Sequence, residues 1–81
     1  MTEQNIYETL EEIIQESRGK EFQVSQTLSL KDDLKADSVD LMEFILTVED
    51  EFGVEISDEE IDELNNVRDV VACVQKGLNK S

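Results

Sequence analysis

Three stretches of the chain repeat their apolar residues with the period of an α-helix. In residues 6–17 apolar side chains recur every three or four positions among glutamates, and the same spacing returns in residues 38–52 and 67–78. This pattern predicts three long amphipathic helices. Their core stripes are Ile6, Leu10, Ile13 and Ile14 in the first, Leu41, Phe44, Ile45, Val48 and Phe52 in the second, and Val67, Val70, Val71, Val74 and Leu78 in the last.

Polar residues that favour helix starts precede each stripe, and glycine follows two of them. Short polar side chains accept hydrogen bonds from the first turn of a helix, and glycine tolerates the left-handed conformation that ends many helices. We therefore expect Gly19 and Gly53 to end the first two helices. The predicted N-caps are Thr2 or Asn5 for the first helix, Asp37 or Ser38 for the second, and Asn65 or Asn66 for the last.

The remaining chain divides into a long loop and a short helix. Ser57 to Glu60 matches a capping box, with Ile61 and Leu64 as the inward residues of a short third helix. Residues 20–36 have no sustained period, and their scattered apolar residues predict an ordered loop that closes the core: Phe22, Val24, Leu28, Leu30 and Leu34. The predicted fold is all-α, a four-helix bundle of three long helices and one short third helix, with a long loop between helices one and two.

Three apolar residues of the second helix fall outside its core stripe. Val39, Met42 and Leu46 lie on the opposite half of the helical wheel, where folding alone does not require apolar side chains. Scattered apolar residues are common on protein surfaces, so that alternative stays open. Acidic residues surround the three on the same half of the helix: Asp40, Glu43 and Asp50.

Length and composition restrict the function. The 81 residues are interpreted as one small domain, residues 1–81, in which a large enclosed active site is not expected. The chain has no histidine, which removes Ser-His-acid triads, Cys-His pairs and the usual zinc sites. Its acidic residues lack the spacing of an EF-hand loop, so we predict no metal site. Without histidine or an enclosed active site, we also predict no catalytic residue. Cys73 is expected to be a packing residue.

Charge and targeting signals indicate the class of partner and the compartment. The net charge of -14 argues against nucleic acid and anionic membranes as partners, and favours a basic protein surface. Residues 31–66 contain 14 of the 21 acidic residues and two of the seven basic ones, so the negative field centres on the second helix and its surroundings. A single cysteine, with no signal peptide and no membrane-length apolar run, favours a reducing cytoplasm.

Ser38 is the residue with the most informative position. A serine at a helix start usually serves only as a cap. A phosphodiester attached there would instead meet unpaired backbone N–H groups at the positive end of the helix, although Asp37 and Asp40 would partly oppose it. The residues alone leave both interpretations open.

The sequence around Ser38 resembles that of the acyl carrier proteins of dissociated fatty acid synthesis. The similarity rests on residues 34–40 (LKADSVD), on Glu43 and on residues 49–60 (EDEFGVEISDEE), and it extends over nearly the whole chain in helix order, loop position and acidic balance. The resemblance implies that Ser38 carries a covalent 4'-phosphopantetheine, that the thiol of this arm bears acyl groups as thioesters, and that the protein itself is not an enzyme.

The resemblance also implies partners and roles for further residues. A phosphopantetheinyl transferase and acyl-processing enzymes would bind the second helix through basic patches on their surfaces. The carrier would act as a monomer and would not insert into a membrane. The docking residues would be Asp37, Val39, Asp40, Met42, Glu43, Leu46, Glu49 and Asp50. The residues that shelter the acyl chain would be Phe44, Ile45, Val48 and Ile61.

Two departures from the family pattern bear on the pathway. Lys35 stands where the family usually has glycine, and Leu41 is more apolar than the residue commonly found there. Either change could mark a carrier dedicated to one set of partners. Besides a fatty acid carrier, a specialised carrier for a polyketide, nonribosomal peptide or aminoacyl pathway therefore stays open, as does an unmodified acidic docking module.

Overall fold

The computed structural model contains four α-helices in the residues that it describes, which are 2–32 and 38–79, with Ser38 described by its backbone only. α1 packs most extensively against α4 and also contacts α2. The predicted all-α bundle with a short third helix is confirmed. The helices are α1 (Glu3–Arg18), α2 (Ser38–Phe52), α3 (Asp58–Glu63) and α4 (Val67–Asn79).

α1 is longer than the predicted segment 6–17 because Thr2 caps it. The Thr2 side chain accepts a hydrogen bond from the Asn5 N–H at 3.2 Å, so Thr2 is the N-cap and Asn5 lies inside the helix. At the other end Gly19 has a φ of 107° and donates its N–H to the Gln15 carbonyl at 2.7 Å. Gly19 therefore ends the helix as predicted, in a conformation that side chains rarely adopt.

The first loop is ordered over residues 20–32 and is fastened to the helices by hydrogen bonds. The Tyr7 hydroxyl donates to the Val24 carbonyl at 2.8 Å, and the Gln15 side-chain amide donates to the Phe22 carbonyl at 3.0 Å. Leu28 is buried, and so is Leu30. The predicted core-closing loop is confirmed over this range, and Leu34 lies outside the described residues.

A short extended contact between the loop and the start of α4 was not predicted. Ser29 and Asn66 form an isolated antiparallel bridge. Beside it, the Leu30 N–H donates to the Asn65 carbonyl at 3.0 Å, and the Val67 N–H donates to the Leu28 carbonyl at 3.1 Å. The loop thus pairs its backbone polar groups while it covers the core.

α2 ends and α4 begins as the sequence predicts. Gly53 has a φ of 67°, and the Val54 N–H reaches back to the Glu49 carbonyl at 3.2 Å, as in a Schellman-type ending. At α4 the Asn66 side chain accepts from the Asp69 N–H at 3.0 Å, which makes Asn66, not Asn65, the cap. The cap of α2 stays a prediction, because Asp37 and the Ser38 side chain lie outside the description.

The helices and the loop enclose one hydrophobic core. Ser57 caps α3 by accepting from the Glu60 N–H at 3.2 Å, and α3 turns Ile61 inward. Residues at the margins of the predicted stripes are only half-buried, because the small bundle leaves its edges open to water. The buried core residues are Ile6, Leu10, Ile14, Leu28, Leu30, Ile45, Val48, Phe52, Val54, Ile56, Ile61, Leu64, Val67, Val70, Val71 and Val74.

Candidate functional site

α2 begins at Ser38, the residue to which the sequence directs attention. The first N–H groups of a helix have no acceptor within it and carry partial positive charge. Asp40 lies in the first turn, where its exposed carboxylate adds negative charge at the same end. An anion attached to residue 38 would therefore meet backbone donors on one side and a carboxylate nearby.

One side of α2 presents apolar side chains to water. Val39, Met42 and Leu46 are 66%, 42% and 59% exposed, and they are the exposed large apolar residues of the part that the structure describes. Asp40, Glu43 and Asp50 are exposed as well. We call these six residues the outward face of α2. The sequence predicted each position, and burial of the core does not require such a row of apolar side chains to be exposed.

Glu49 differs from the other predicted docking residues. It is half-buried, and its Oε2 accepts a hydrogen bond from the Ile56 N–H at 2.8 Å. This contact ties the end of α2 to the extended segment that leads into α3. The Glu49 carboxylate therefore has a structural partner seven residues away, which helical periodicity does not reveal.

The predicted shelter residues occupy two different environments. Ile45 and Val48 on α2 are fully buried in the core, with exposures of 1% and 0%, and Ile61 on α3 is buried in the same core. Phe44 packs against the same core but is only half-buried. Its open side faces a groove between α1 and α2.

That groove has a volume of about 560 Å³ and lies between the last turns of α1 and the first half of α2. Apolar side chains from both helices meet there, and charged side chains stand among them. No single-helix pattern predicts such a groove, because it depends on how α1 and α2 are placed relative to each other. Its lining residues are Ile13, Ile14, Glu16, Ser17, Arg18, Asp40, Glu43, Phe44 and Thr47.

Cys73 lies in the middle of α4, where its half-buried thiol donates a hydrogen bond to Glu60 Oε2 at 3.0 Å. The contact joins α4 to α3, in keeping with a packing role. Within residues 2–32 and 38–79 no cluster of three or more His, Cys, Asp or Glu side chains could hold a metal ion. No helix in those ranges is long and apolar enough to cross a membrane.

Comparison with known proteins connects this geometry to a family. The family described as "Phosphopantetheine attachment site" matches residues 6–74. The acyl carrier protein of an Exiguobacterium species is 38% identical over 79 residues, which cover 96% of this chain and 100% of the relative. The crystal structure of the Thermotoga maritima acyl carrier protein aligns with a TM-score of 0.80 at 32% identity, covering 96% of this chain and 92% of the other.

A third similarity agrees with these two. The acyl carrier protein of Enterococcus faecalis aligns with a TM-score of 0.76 at 38% identity, over 95% of this chain and 99% of the other. Sequence and fold thus point to the same group over nearly the full length of this chain. The chain belongs to the acyl carrier proteins, which bear acyl groups on a covalently attached 4'-phosphopantetheine.

Proposed function

We propose that Ser38 is the residue that holds the 4'-phosphopantetheine arm. It stands within the matched span 6–74, in the sequence Asp37-Ser38-Val39-Asp40, and it is the first residue of α2. The single observation that carries the proposal is this coincidence of the family motif with the helix start. The arm supplies a thiol on which an acyl group can be carried as a thioester.

The first turn of α2 suits the phosphodiester that such an attachment creates. Backbone N–H groups at a helix N-terminus can donate to a phosphate, and the helix dipole favours its negative charge. Asp40 opposes this attraction, which limits how firmly the phosphate is held. A weak hold is useful in a carrier, since the arm must leave the surface of the protein to enter the active site of each partner.

The outward face of α2 is proposed as the docking surface for partner enzymes. Its exposed apolar row supplies area that a partner can bury, and its carboxylates attract basic side chains at the rim. Charges at a rim speed association more than they prolong residence, and a carrier must leave each enzyme quickly. We propose that a phosphopantetheinyl transferase and acyl-processing enzymes with basic patches share this face in the cytoplasm, and that the carrier itself catalyses nothing.

Fatty acid synthesis is the pathway that the family similarity supports best. The departure at Lys35 keeps a specialised carrier as the second candidate, because the lysine adds a positive charge three residues before Ser38. Loading assays separate the two. Loading with malonyl groups by a malonyl transferase is expected of a fatty acid carrier, whereas preferential loading with another acyl or an aminoacyl group supports a specialised carrier.

Intact mass after incubation with a phosphopantetheinyl transferase and coenzyme A tests the attachment. We expect the wild-type chain to gain one phosphopantetheine and Ser38→Ala to gain none. Ser57→Ala is the matched control, because Ser57 is also a hydroxyl at a helix start. A mass gain in Ser38→Ala, or no gain in a wild-type chain with a transferase active on another carrier, contradicts the proposal.

A further inference from the structure

The groove between α1 and α2 is continuous with the outward face of α2. Asp40 and Glu43 belong to that face and also line the groove, so the two surfaces meet along these side chains. On the other side of the groove Glu16 is exposed in the last turns of α1. A partner that covers the outward face can therefore also reach α1, a helix that contains none of the docking residues proposed above.

The groove combines apolar surface with an excess of negative charge. Ile13 and Phe44 are half-buried and line it with apolar groups. Three carboxylates against one guanidinium give the lining a net charge of -2. Such a groove repels an anion and suits a cation that has apolar surface of its own. The carboxylates are those of Glu16, Asp40 and Glu43, and the guanidinium is that of Arg18.

An arginine side chain fits this lining better than other cations do. Its planar guanidinium donates to carboxylates through a rigid fork and stacks on an aromatic ring such as that of Phe44. A metal ion is a poorer occupant, since residues 2–32 and 38–79 contain no cluster of three or more side chains that could ligate one. A second copy of this chain would be repelled, because each copy has a net charge of -14.

The position of the groove indicates which partner supplies the arginine. Asp40 is two residues from Ser38, so the groove reaches the first turn of α2. An enzyme that acts on the thiol can stand away from the helix by the length of the arm. A phosphopantetheinyl transferase cannot, because it must bring the phosphate of coenzyme A to the serine itself.

We propose that the α1–α2 groove receives an arginine side chain of the phosphopantetheinyl transferase, between Glu16 of α1 and Glu43 of α2 and against the Phe44 ring. This inference rests on the proposed attachment at Ser38 and on docking through the outward face. Glu16 is then a docking residue on a second helix. Contact with two helices fixes the orientation of the transferase about α2, which contact with α2 alone does not.

Glu16→Gln and Glu12→Gln form a matched pair of variants. Both glutamates are exposed on α1 and lie one turn apart, and only Glu16 lines the groove. In arm transfer from coenzyme A, the KM for the carrier should rise about twofold to fivefold in Glu16→Gln, as expected for the loss of an exposed charge pair. The KM of Glu12→Gln should equal that of the wild-type chain. The kcat should not change in either variant, because neither glutamate is at the attachment point.

Two further variants test the nature of the occupant. Phe44→Leu keeps an apolar side chain and removes the aromatic ring, so the KM should rise about twofold to fivefold in a chain shown by circular dichroism to be folded. Arg18→Gln should lower the KM, because it removes a cation that competes for the same carboxylates. Arg68→Gln, which removes the same charge from the exposed surface of α4, should not lower it.

An unchanged KM in Glu16→Gln, or an equal rise in Glu12→Gln, would overturn the inference. An unchanged KM in Phe44→Leu would overturn the choice of arginine. Met42→Glu separates these results from a failure of the docking proposal, because Met42 is exposed on the outward face and does not line the groove. A raised KM in Met42→Glu beside an unchanged one in Glu16→Gln contradicts the groove alone, whereas an unchanged KM in Met42→Glu contradicts docking through the outward face and the groove with it.

Discussion

Replacing Glu49 with glutamine separates the docking role that the sequence predicts for this carboxylate from the structural role that its hydrogen bond to Ile56 indicates. The Glu49 Oε2 accepts the Ile56 N–H at 2.8 Å and is half-buried, whereas Asp50 is exposed on the outward face of α2. Glu49→Gln and Asp50→Asn each remove one negative charge. A chain with a net charge of -14 should gain slightly from either removal, so the difference between the variants isolates the hydrogen bond.

The expected size of that difference follows from the kind of bond that is lost. A hydrogen bond to a charged group contributes about 1.5–3 kcal/mol and a neutral one about 0.5–1.5 kcal/mol. Glutamine keeps an acceptor without the charge, and the site is partly open to water. We therefore expect Glu49→Gln to lower the free energy of unfolding by about 1 kcal/mol relative to Asp50→Asn, a difference of about 4–8 °C in melting temperature for a domain of this size.

Urea unfolding followed by circular dichroism measures this difference, because urea, unlike guanidinium chloride, does not screen charge. Amide hydrogen exchange at Ile56 gives a local readout, with protection expected to fall about fivefold in Glu49→Gln for a loss of about 1 kcal/mol. Equal urea midpoints for the two variants, together with unchanged exchange at Ile56, would refute the reasoning and return Glu49 to the docking residues alone.

Three further predictions concern the loop, the docking face and the charge. Burial, together with the nearby Glu11 carboxylate, raises the pKa of Tyr7 above 10.0. The stability that the neutral Tyr7 hydroxyl contributes is therefore fully present below pH 10 and is lost as the pH rises through the higher pKa of the folded chain. The absorbance of Tyr7, the only tyrosine of the sequence, should change at a higher pH in the folded chain than in the urea-unfolded chain. Met42→Glu and Glu43→Lys should slow the transfer of acyl groups or of the arm by partner enzymes without changing the helix content. Glu12→Lys, at an exposed position of α1, should not slow this transfer. Equal transfer rates in all three variants would show that the outward face of α2 has no docking role. Magnesium or added salt should raise the melting temperature by screening carboxylate repulsion, and a flat or falling value would contradict this.

Helical periodicity was sufficient to find the elements and the exposed side of α2. Both sides of α2 carry apolar residues, and only their positions on the helical wheel distinguish core residues from outward ones. The structure buries Ile45 and Val48 and exposes Val39 and Leu46, as those positions predict. Glycine likewise marked the end of α1, because Gly19 adopts the positive φ that other residues avoid.

The choice between neighbouring caps could not be made from sequence. Thr2 and Asn5 both have side chains that can accept the required hydrogen bond, and so have Asn65 and Asn66. The fold decides in favour of Thr2 and Asn66, the latter because the residue before α4 also pairs with the loop at Ser29. Local propensity does not include such a distant contact.

Contacts in the site that join separate elements also could not be predicted from the sequence. The Glu49 contact with Ile56 spans the α2–α3 connection, and the groove needs both Ile13 of α1 and Phe44 of α2. Each depends on the placement of one element against another. By contrast, Ser38 could be singled out from the chain, because a family motif and a helix start coincide there.

Fragmentation mass spectrometry of the protein after transferase treatment tests the central claim most directly, because it identifies the residue that carries the arm. The account predicts 4'-phosphopantetheine on Ser38 and on no other serine. An arm found on Ser25, Ser29 or Ser57 instead, or a Ser38 peptide that remains unmodified while the rest of the chain gains the mass, would contradict it.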